Sequence, residues 1–450
     1  MPALDHDRLP QPRSLPPQLL RMIGQRITAG ALAAALMFFS ASSALAGEIV
    51  KAAEGVYAAI GFGPSNSVVV AGEDAAILID AHHAAAAAEE AAAAYREVVD
   101  LPFAAVIYTH GDRSHVAGAA AFTGRLLLPE VYARSNFSLR RQTAGVEALR
   151  RRQRQKGLLL DDGQRSPTLI DPLPKGVDAP GRYLPPDQWI HGDRFRLRLA
   201  GVNLELIAAP GEAQDHLYVW LPERKVLITG ANFHQAFPGS LDGIGDHETD
   251  LEEWARSLDR MRAERAEVLI PGHTRPLFGA EAIDRALADY ATALRFIEVA
   301  TLRGIDGGLG PDELAAAIRL PPLLAASEVL VQNHGTLEWA VRSVYARHMG
   351  WFDGEAAELV SFPPRTLAWR LRELAERNLT LDAALDGALL LEDYRWAAWL
   401  ADQLMQIEPD EARHAERKAR ALEGMAVEVD NPQARNYLLS AAKELRLDLP

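Results

Sequence analysis

Three loops with potential metal ligands most constrain the fold of this chain, because each directly follows a short apolar run. They span residues 109–115, 208–216 and 270–274, and each contains histidine. Polar side chains at strand ends gather at one edge of a layered α/β fold, where active sites form. Taken alone, the first loop is equally compatible with an ordinary surface loop, and His273 with a structural hydrogen-bonding residue. Together the loops predict an α/β domain with a metal site.

The ligand types follow from composition. The chain contains no cysteine, so a metal must be held by His, Asp or Glu. The first loop offers His110, Asp112 and His115, the second Glu212, and the third His273. Imidazole and carboxylate together suit zinc and related divalent ions.

Short apolar runs bounded by Gly, Pro, Asn or Asp predict the strands. They lie at 56–60, 67–70, 76–80, 104–108, 204–207, 216–221, 225–228 and 267–270. Two helices are predicted between them, at 84–99 and 251–264, the second because Leu251, Trp254 and Leu258 share one face. Strands alternating with helices indicate an α/β layered domain.

The strand pattern stops near residue 280, and helical patterns follow. Predicted helices cover 283–304, 311–318, 337–349, 364–377, 396–407 and 410–425. We therefore predict three regions: an N-terminal segment at 1–46, the α/β domain at 47–282 and an all-helical domain at 283–450.

The N-terminal segment has the pattern of a signal peptide. Arg21 and Arg26 precede an apolar run at 27–39, and small residues ending in Ala44-Leu45-Ala46 follow. The run is shorter than the roughly 20 residues of a membrane span. We expect export to the periplasm and no stable membrane span after cleavage, with an uncleaved anchor helix as the alternative.

Charge limits the partners. The formal net charge is −14, which disfavours nucleic acid because phosphate binding requires a basic face. Residues 137–185 differ from the acidic remainder of the chain, because they contain an Arg-rich stretch followed by a Pro-rich one. The favoured interpretation is a solvated insertion arm, and the alternative is guidance of an anionic substrate. The arginines are Arg140, Arg141, Arg150, Arg151, Arg152 and Arg154.

The order of the three loops resembles the metallo-β-lactamase superfamily, whose fold is an αββα sandwich. Further stretches resemble its alkylsulfatase family, which hydrolyses alkyl sulfate esters, and that family's helical dimerisation domain. The most specific is Gly-Trp-Phe-Asp-Gly at 350–354. The others lie at 55–57, 66, 210–212, 220–227, 273–276, 335–339, 342, 393–397 and 435–438. The resemblance covers nearly all of residues 48–445.

The resemblance implies which residues hold metal. His110 and His115 match the first and last ligands of the family's His-x-His-x-Asp-His loop, Glu212 its carboxylate after Pro-Gly, and His273 its last histidine ligand. Three positions depart from the pattern. Asp112 replaces the second histidine, Ser114 the aspartate, and Ala231 the bridging acid. Ile244 and Thr249 stand where the family has arginines suited to sulfate.

These departures from the family's motif are expected to weaken binding of the second metal ion more than binding of the first. One zinc ion is expected to be well held by His110, Asp112 and Glu212, and a second, weak or absent, by His115 and His273. The residues that could compensate are Asp215, His216 and His234. We take Asp112 and Asp215 as candidate catalytic carboxylates.

The resemblance implies a metal-dependent hydrolase that acts on a small anionic ester, an alkyl sulfate or a close relative such as a lactone, phosphoester or amide. The alternative is a non-catalytic family member that keeps the fold and has a degenerate metal site. A homodimer is expected. The aromatic residues Trp351, Trp396 and Trp399 could lie either on the surface of the helical domain or in its core.

Overall fold

The computed structural model describes residues 47–123, 129–139, 145–161, 163–167, 181–239, 250–352, 356, 359–375 and 379–447. The predicted signal peptide, Ile244 and Thr249 lie outside these residues, so the expectations that rest on them stay predictions. The chain divides into two units, Met1–Leu45 and Ala46–Pro450, and the second is described below. Among the described residues, no helix has both the length and the apolar character needed to span a membrane.

The first sheet has seven strands in chain order. They are β1 (Glu48–Ala53), β2 (Val56–Ile60), β3 (Ser67–Ala71), β4 (Ala76–Ile79), β5 (Phe103–Ile107), β6 (Glu130–Arg134) and β7 (Gln188–Ile190). Strands β1 to β4 pair antiparallel, and β4 to β7 run parallel. Because Ile79 pairs with Ile107, β4 and β5 end side by side, and Asp80 lies next to the loop that starts at Thr109.

The second sheet has six strands. They are β8 (Arg194–Leu199), β9 (Val202–Ala208), β10 (Leu217–Leu221), β11 (Val226–Gly230), β12 (Val268–Pro271) and β13 (Leu277–Phe278), lying side by side in reverse chain order. Only β11 and β12 run parallel among the described pairs. Their register joins Gly230 to Pro271, so these strands also end together.

Helices cover the outer faces of both sheets. Helix α1 (Ala85–Arg96) packs Ala88 and Tyr95 on the first sheet; short α2 (Arg113–Val116) follows β5. Helices α4 (Leu251–Ala263) and α5 (Ala280–Asp306) cover the second sheet. The inner faces meet in a core of aliphatic side chains. The predicted αββα sandwich is therefore confirmed.

The remaining helices form the C-terminal region. They are α6 (Pro311–Ala317), α7 (Pro322–Ala325), α8 (Leu337–Met349), α9 (Pro364–Ala375), α10 (Leu381–Leu390), α11 (Tyr394–Ile407), α12 (Ala412–Glu428) and α13 (Pro432–Leu447). Helices α9 to α13 pack around a core of their own. Helices α5, α6 and α8 instead share one core with the second sheet. The predicted boundary at 282/283 falls inside α5.

The described part of the Arg-rich segment is a helix that lies against α13, although none of the residues of that helix is fully buried. Helix α3 (Val146–Gln155) is docked on α13. Arg150 Nε donates to Glu444 at 2.8 Å, and Arg154 Nε donates to the other oxygen of the same carboxylate. Glu444 is buried. The arginines thus supply the counter-charge that makes burial of a carboxylate tolerable.

A histidine that takes no part in the candidate ligand set is buried under α1. His82 lies between the rings of Phe62 and Phe122. Its Nε2 is hydrogen-bonded to Ser67 Oγ at 2.9 Å. Burial lowers the pKa of His82 to about 4, because the surrounding apolar groups disfavour the charged ring.

We expect His82 to make the protein less stable at acidic pH. Between pH 6.5 and 4 the unfolded chain binds a proton at this residue that the folded chain does not. The free energy of unfolding therefore falls by roughly 1.4 kcal/mol per pH unit over this window, about 2 kcal/mol by pH 5. His82→Asn removes the titration and tolerates the positive φ of 59° at this position. Urea unfolding at pH 7 and 5 should show a drop smaller by about 2 kcal/mol in the variant; equal drops would contradict the assignment.

Candidate metal centre

The ligand-bearing loops meet at the edge where β4, β5, β11 and β12 end. His110 and His115 come from the loop after β5, and His216 directly precedes β10. These three rings are buried, whereas Glu212 and His273 stay partly accessible. The structure thus brings together the residues predicted from the three loops, with two of the five side chains partly accessible.

The first group of donors consists of His110, Glu212 and His216. Their ligand atoms all lie within 4.8 Å of one another. Glu212 Oε2 is 4.0 Å from His110 Nε2 and 3.9 Å from His216 Nε2. The two imidazole rings stack with centroids 4.1 Å apart. Two imidazoles and one carboxylate suit zinc and leave room for a fourth ligand, so these residues fit a catalytic metal ion.

The second group is the pair His115 and His273. Their Nε2 atoms face each other at 3.3 Å. The opposite ring nitrogens are held from outside: His115 Nδ1 by Asp80 Oδ2 at 2.7 Å, and His273 Nδ1 by the carbonyl oxygen of Pro64 at 2.8 Å. A histidine fixed through one nitrogen presents the other to a metal. The two rings are therefore oriented as metal ligands would be, and together they offer two nitrogen donors.

The loops are held in place by side-chain amides and close backbone contacts. Asn66 Nδ2 donates to the carbonyl oxygens of Pro271 and Thr274, both at 2.8 Å, and so fixes the loop that carries His273. Gly272 is needed there, because a Cβ atom would lie 2.8 Å from both Gly230 C and His115 Cε1. Only glycine lets the strand ends approach this closely.

Two predicted carboxylates have structural contacts of their own. Asp112 Oδ1 caps α2 by accepting from the backbone N–H and Oγ of Ser114, at 2.8 and 2.6 Å. Asp215 Oδ2 accepts from the backbone N–H groups of Gly111 and Ser138, at 2.9 and 3.2 Å. Asp215 is buried, whereas Asp112 is partly accessible. In the three-donor group, His216 occupies the place that the sequence analysis gave to Asp112.

The electrostatics distinguish the two histidines of the second group. Burial opposes a charge on His115, but the adjacent Asp80 carboxylate outweighs it, and the pKa of His115 is raised. Burial lowers the pKa of His273 to about 4, and the charge of His115 adds to that effect. The negative charge of Asp112 makes a smaller contribution, which favours the protonated form of both rings.

Sequence reasoning missed three residues at the site. Asp80 follows the apolar run of β4 directly, which is the signal that identified the other loops, and it could have been found. His234 was considered only as a substitute ligand; it is buried, with Nε2 at 3.2 Å from the hydroxyl of Tyr290. His334 precedes α8 in the helical region, with its ring 5.5 Å from that of His234. Nothing local in the sequence indicates its position.

A second group with ligand-like spacing lies far along the chain and does not resemble a metal site. It comprises Asp382, Glu408 and His414. Arg417 donates to Asp382 at 2.5 Å, and Arg372 donates to Glu408 at 2.8 Å. Arginine already supplies the positive charge here, so the group is an ion-pair network between helices.

Comparison with known families matches both halves of the chain. The model described as metallo-beta-lactamase superfamily matches residues 60–273, and the one described as alkyl sulfatase dimerisation matches residues 310–448. The linear primary-alkylsulfatase of Pseudomonas sp. (strain ATCC 19151) is 28% identical over 388 residues, which cover 84% of this chain and 73% of the relative. The (R)-specific secondary-alkylsulfatase of a Pseudomonas species is 28% identical, over 88% of this chain and 62% of that relative.

A solved structure agrees with these matches. The stereoselective inverting sec-alkylsulfatase Pisa1 from Pseudomonas sp. superposes with a TM-score of 0.80 at 28% identity. The match covers 90% of this chain and 66% of that one. The chain thus spans about two thirds of the length of these relatives. The αββα sandwich and the helices after it are common to both structures.

We expect His216 to be required for metal binding. His216→Ala removes one of the three clustered donors, so the affinity for zinc should fall roughly hundredfold or more. This loss exceeds the one expected when a residue that only hydrogen-bonds a ligand is replaced. The measurement is zinc content by mass spectrometry after gel filtration, together with the zinc-induced rise in melting temperature. His191→Ala, which replaces an exposed histidine, is the control. Unchanged zinc content in His216→Ala would exclude His216 as a ligand.

Proposed function

We infer that this chain, which belongs to the alkylsulfatase branch of the metallo-β-lactamase superfamily, hydrolyses alkyl sulfate esters to an alcohol and sulfate. The observation that carries the proposal is the group of His110, Glu212 and His216, whose ligand atoms lie within 4.8 Å of one another at the strand ends. Relatives that share both of the chain's domains are named alkylsulfatases. A hydrolase is the reaction class that this donor set supports.

A metal ion bound at this group would supply the electrophile. A divalent ion held by His110, Glu212 and His216 would polarise an oxygen of the bound ester. Zinc is the ion we propose, because two imidazoles and a carboxylate form a typical open zinc site. A second ion would have only His115 and His273, so we expect it to bind weakly or not at all.

The carboxylates are proposed to have different roles. Asp80 orients His115 through its Nδ1 and keeps Nε2 directed at His273. Asp215 fixes the metal-binding loop through two backbone N–H groups, which suits a structural role. Asp112 is partly accessible and lies in the same loop as His115, so we propose it as the residue that orients or deprotonates the attacking water.

We expect purified, zinc-loaded protein to hydrolyse a primary or secondary alkyl sulfate and release inorganic sulfate. Glu212→Gln keeps the side-chain shape but removes a charged ligand. It should lower kcat/KM roughly hundredfold or more, since Lewis-acid stabilisation is worth several kcal/mol. Ion chromatography of released sulfate across a panel of chain lengths is the measurement, with His191→Ala as control.

The same panel separates the alternatives. Turnover of a lactone, phosphoester or amide with no turnover of sulfates would keep the hydrolase and change its substrate. Bound zinc without turnover of any ester would favour a non-catalytic member of the family. Activity that survives in Glu212→Gln would show that the three-donor group is not the catalytic site.

We also propose that the mature protein is a periplasmic homodimer. Export is supported by the signal-peptide pattern of residues 1–46. Dimerisation is supported by the matched alkyl sulfatase dimerisation model and by aromatic residues on the surface of the helical region. Trp351 is exposed, and Trp396 and Trp399 are half-exposed and stacked with centroids 4.9 Å apart. These side chains do not belong to the helical core, and exposed apolar area of this kind is typical of interfaces.

We expect sedimentation velocity to give a mass of twice one chain. Replacing the two stacked tryptophans by charged residues should reduce this mass to that of one chain. Trp396→Glu combined with Trp399→Glu should shift the protein to monomer, because two charges buried in an apolar interface cost several kcal/mol. Trp189→Glu, at a tryptophan that is likewise half-exposed but lies on β7, should leave the mass unchanged. A wild-type mass of one chain would exclude the dimer.

A further inference from the structure

His334 belongs to the helical C-terminal region, yet it lies beside the histidines of the metal centre. We propose that His334 is a substrate-positioning residue that donates a hydrogen bond from its Nε2–H to the anionic sulfate group of the ester. This inference rests on the proposed function and names a residue that the three strand-end loops do not contain. It makes the segment matched by the dimerisation model part of the substrate site.

The backbone around His334 is locked against the loop that carries His234. Phe237 N–H donates to the carbonyl oxygen of Val331 at 2.8 Å, and Gly335 N–H donates to that of Phe237 at 3.2 Å. A Cβ atom on Gly335 would lie 2.1 Å from the carbonyl oxygen of Pro238, so only glycine permits this approach. The position of His334 beside the metal centre is therefore fixed by backbone contacts.

A chain of side-chain amides fixes which ring nitrogen carries the proton. Gln155 Nε2 donates to Gln433 Oε1 at 2.5 Å, which directs the Gln433 Nε2 towards His334. That amide donates to His334 Nδ1 at 2.6 Å. Nδ1 is thus an acceptor, and in a neutral ring the proton sits on Nε2. Burial lowers the pKa of His334 to about 3, so the ring is neutral near pH 7.

The His334 ring lies next to the histidines of the metal centre. The His334 ring stands perpendicular to that of His234, with centroids 5.5 Å apart, and His234 in turn lies 6.2 Å from His273. His334 is partly accessible. Within the described part of the chain, its Nε2 makes no hydrogen bond. A partly accessible hydrogen-bond donor near a metal site is suited to an anionic oxygen.

The chemistry of the position fits a sulfate group. A neutral imidazole N–H provides direction without a charge, as hydrogen-bond donors do in sites that bind anions. His234 is also neutral, because burial lowers its pKa, so it does not compete as a charged partner. The anion would therefore be held by the metal and by His334.

Three substitutions separate positioning from a structural role. His334→Gln places an amide N–H near the position of Nε2, whereas His334→Asn reaches only the position of Nδ1 and can still accept from Gln433. With hexyl sulfate, His334→Asn and His334→Ala should raise KM roughly tenfold to hundredfold while kcat changes less than about threefold. His334→Gln should keep KM within about threefold of the wild type. Melting temperatures should be similar for Gln and Asn.

A second measurement follows the ring directly. Sodium sulfate added to zinc-loaded, ¹⁵N-histidine-labelled protein should shift the Nε2 resonance of His334, identified by its loss in His334→Gln. If sulfate shifts it but no sulfate ester is hydrolysed, the proposed reaction fails and the role of His334 stands. If hexyl sulfate is hydrolysed with unchanged KM in His334→Asn and His334→Ala, the reaction stands and the role of His334 is overturned. No turnover and no shift would overturn both.

Discussion

The buried carboxylate of Asp80 joins the end of β4 to the metal-binding loop, and the site depends on this interaction. It accepts from Thr109 N–H at 2.9 Å, from Thr109 Oγ at 2.8 Å and from His115 Nδ1 at 2.7 Å. A carboxylate buried this deeply is tolerable only when such donors replace water. In satisfying that requirement, Asp80 sets the start of the loop and the orientation of His115. One residue thus links the parallel register of β4 and β5 to ligand geometry.

The other ligands are positioned in the same way. A buried polar group needs hydrogen-bond partners, and making those bonds holds a loop in one conformation. Asn232 accepts from Glu212 N–H at 2.9 Å and donates to the carbonyl oxygen of Ala209 at 2.7 Å. Asn66 holds the loop of His273. These amides bridge loops that are distant in sequence, so each ligand is oriented by a residue outside its own loop. This pre-organisation favours tight metal binding with few ligands.

Much of the fold could be predicted from the sequence because its signals are local. Apolar runs bounded by turn residues identify strands, and the side chains after them collect at one edge. That reasoning found His110, Glu212 and His273. It assigned Asp112 to the first group where the structure has His216, because spacing within a loop does not determine which side chain turns inward. Contacts across hundreds of residues, such as α3 with Glu444, leave no local pattern at all.

The helical region is more than an appended interface. Its first helices share a core with the second sheet, and the segment before α8 is held against the loop after β11 by main-chain bonds. Asn431 Nδ2 donates to the carbonyl oxygens of Gln332 and His334, at 2.9 and 3.2 Å, which ties α13 to the same segment. Because α13 also holds α3 through Glu444, the helical region is joined to the α/β domain at more than one place.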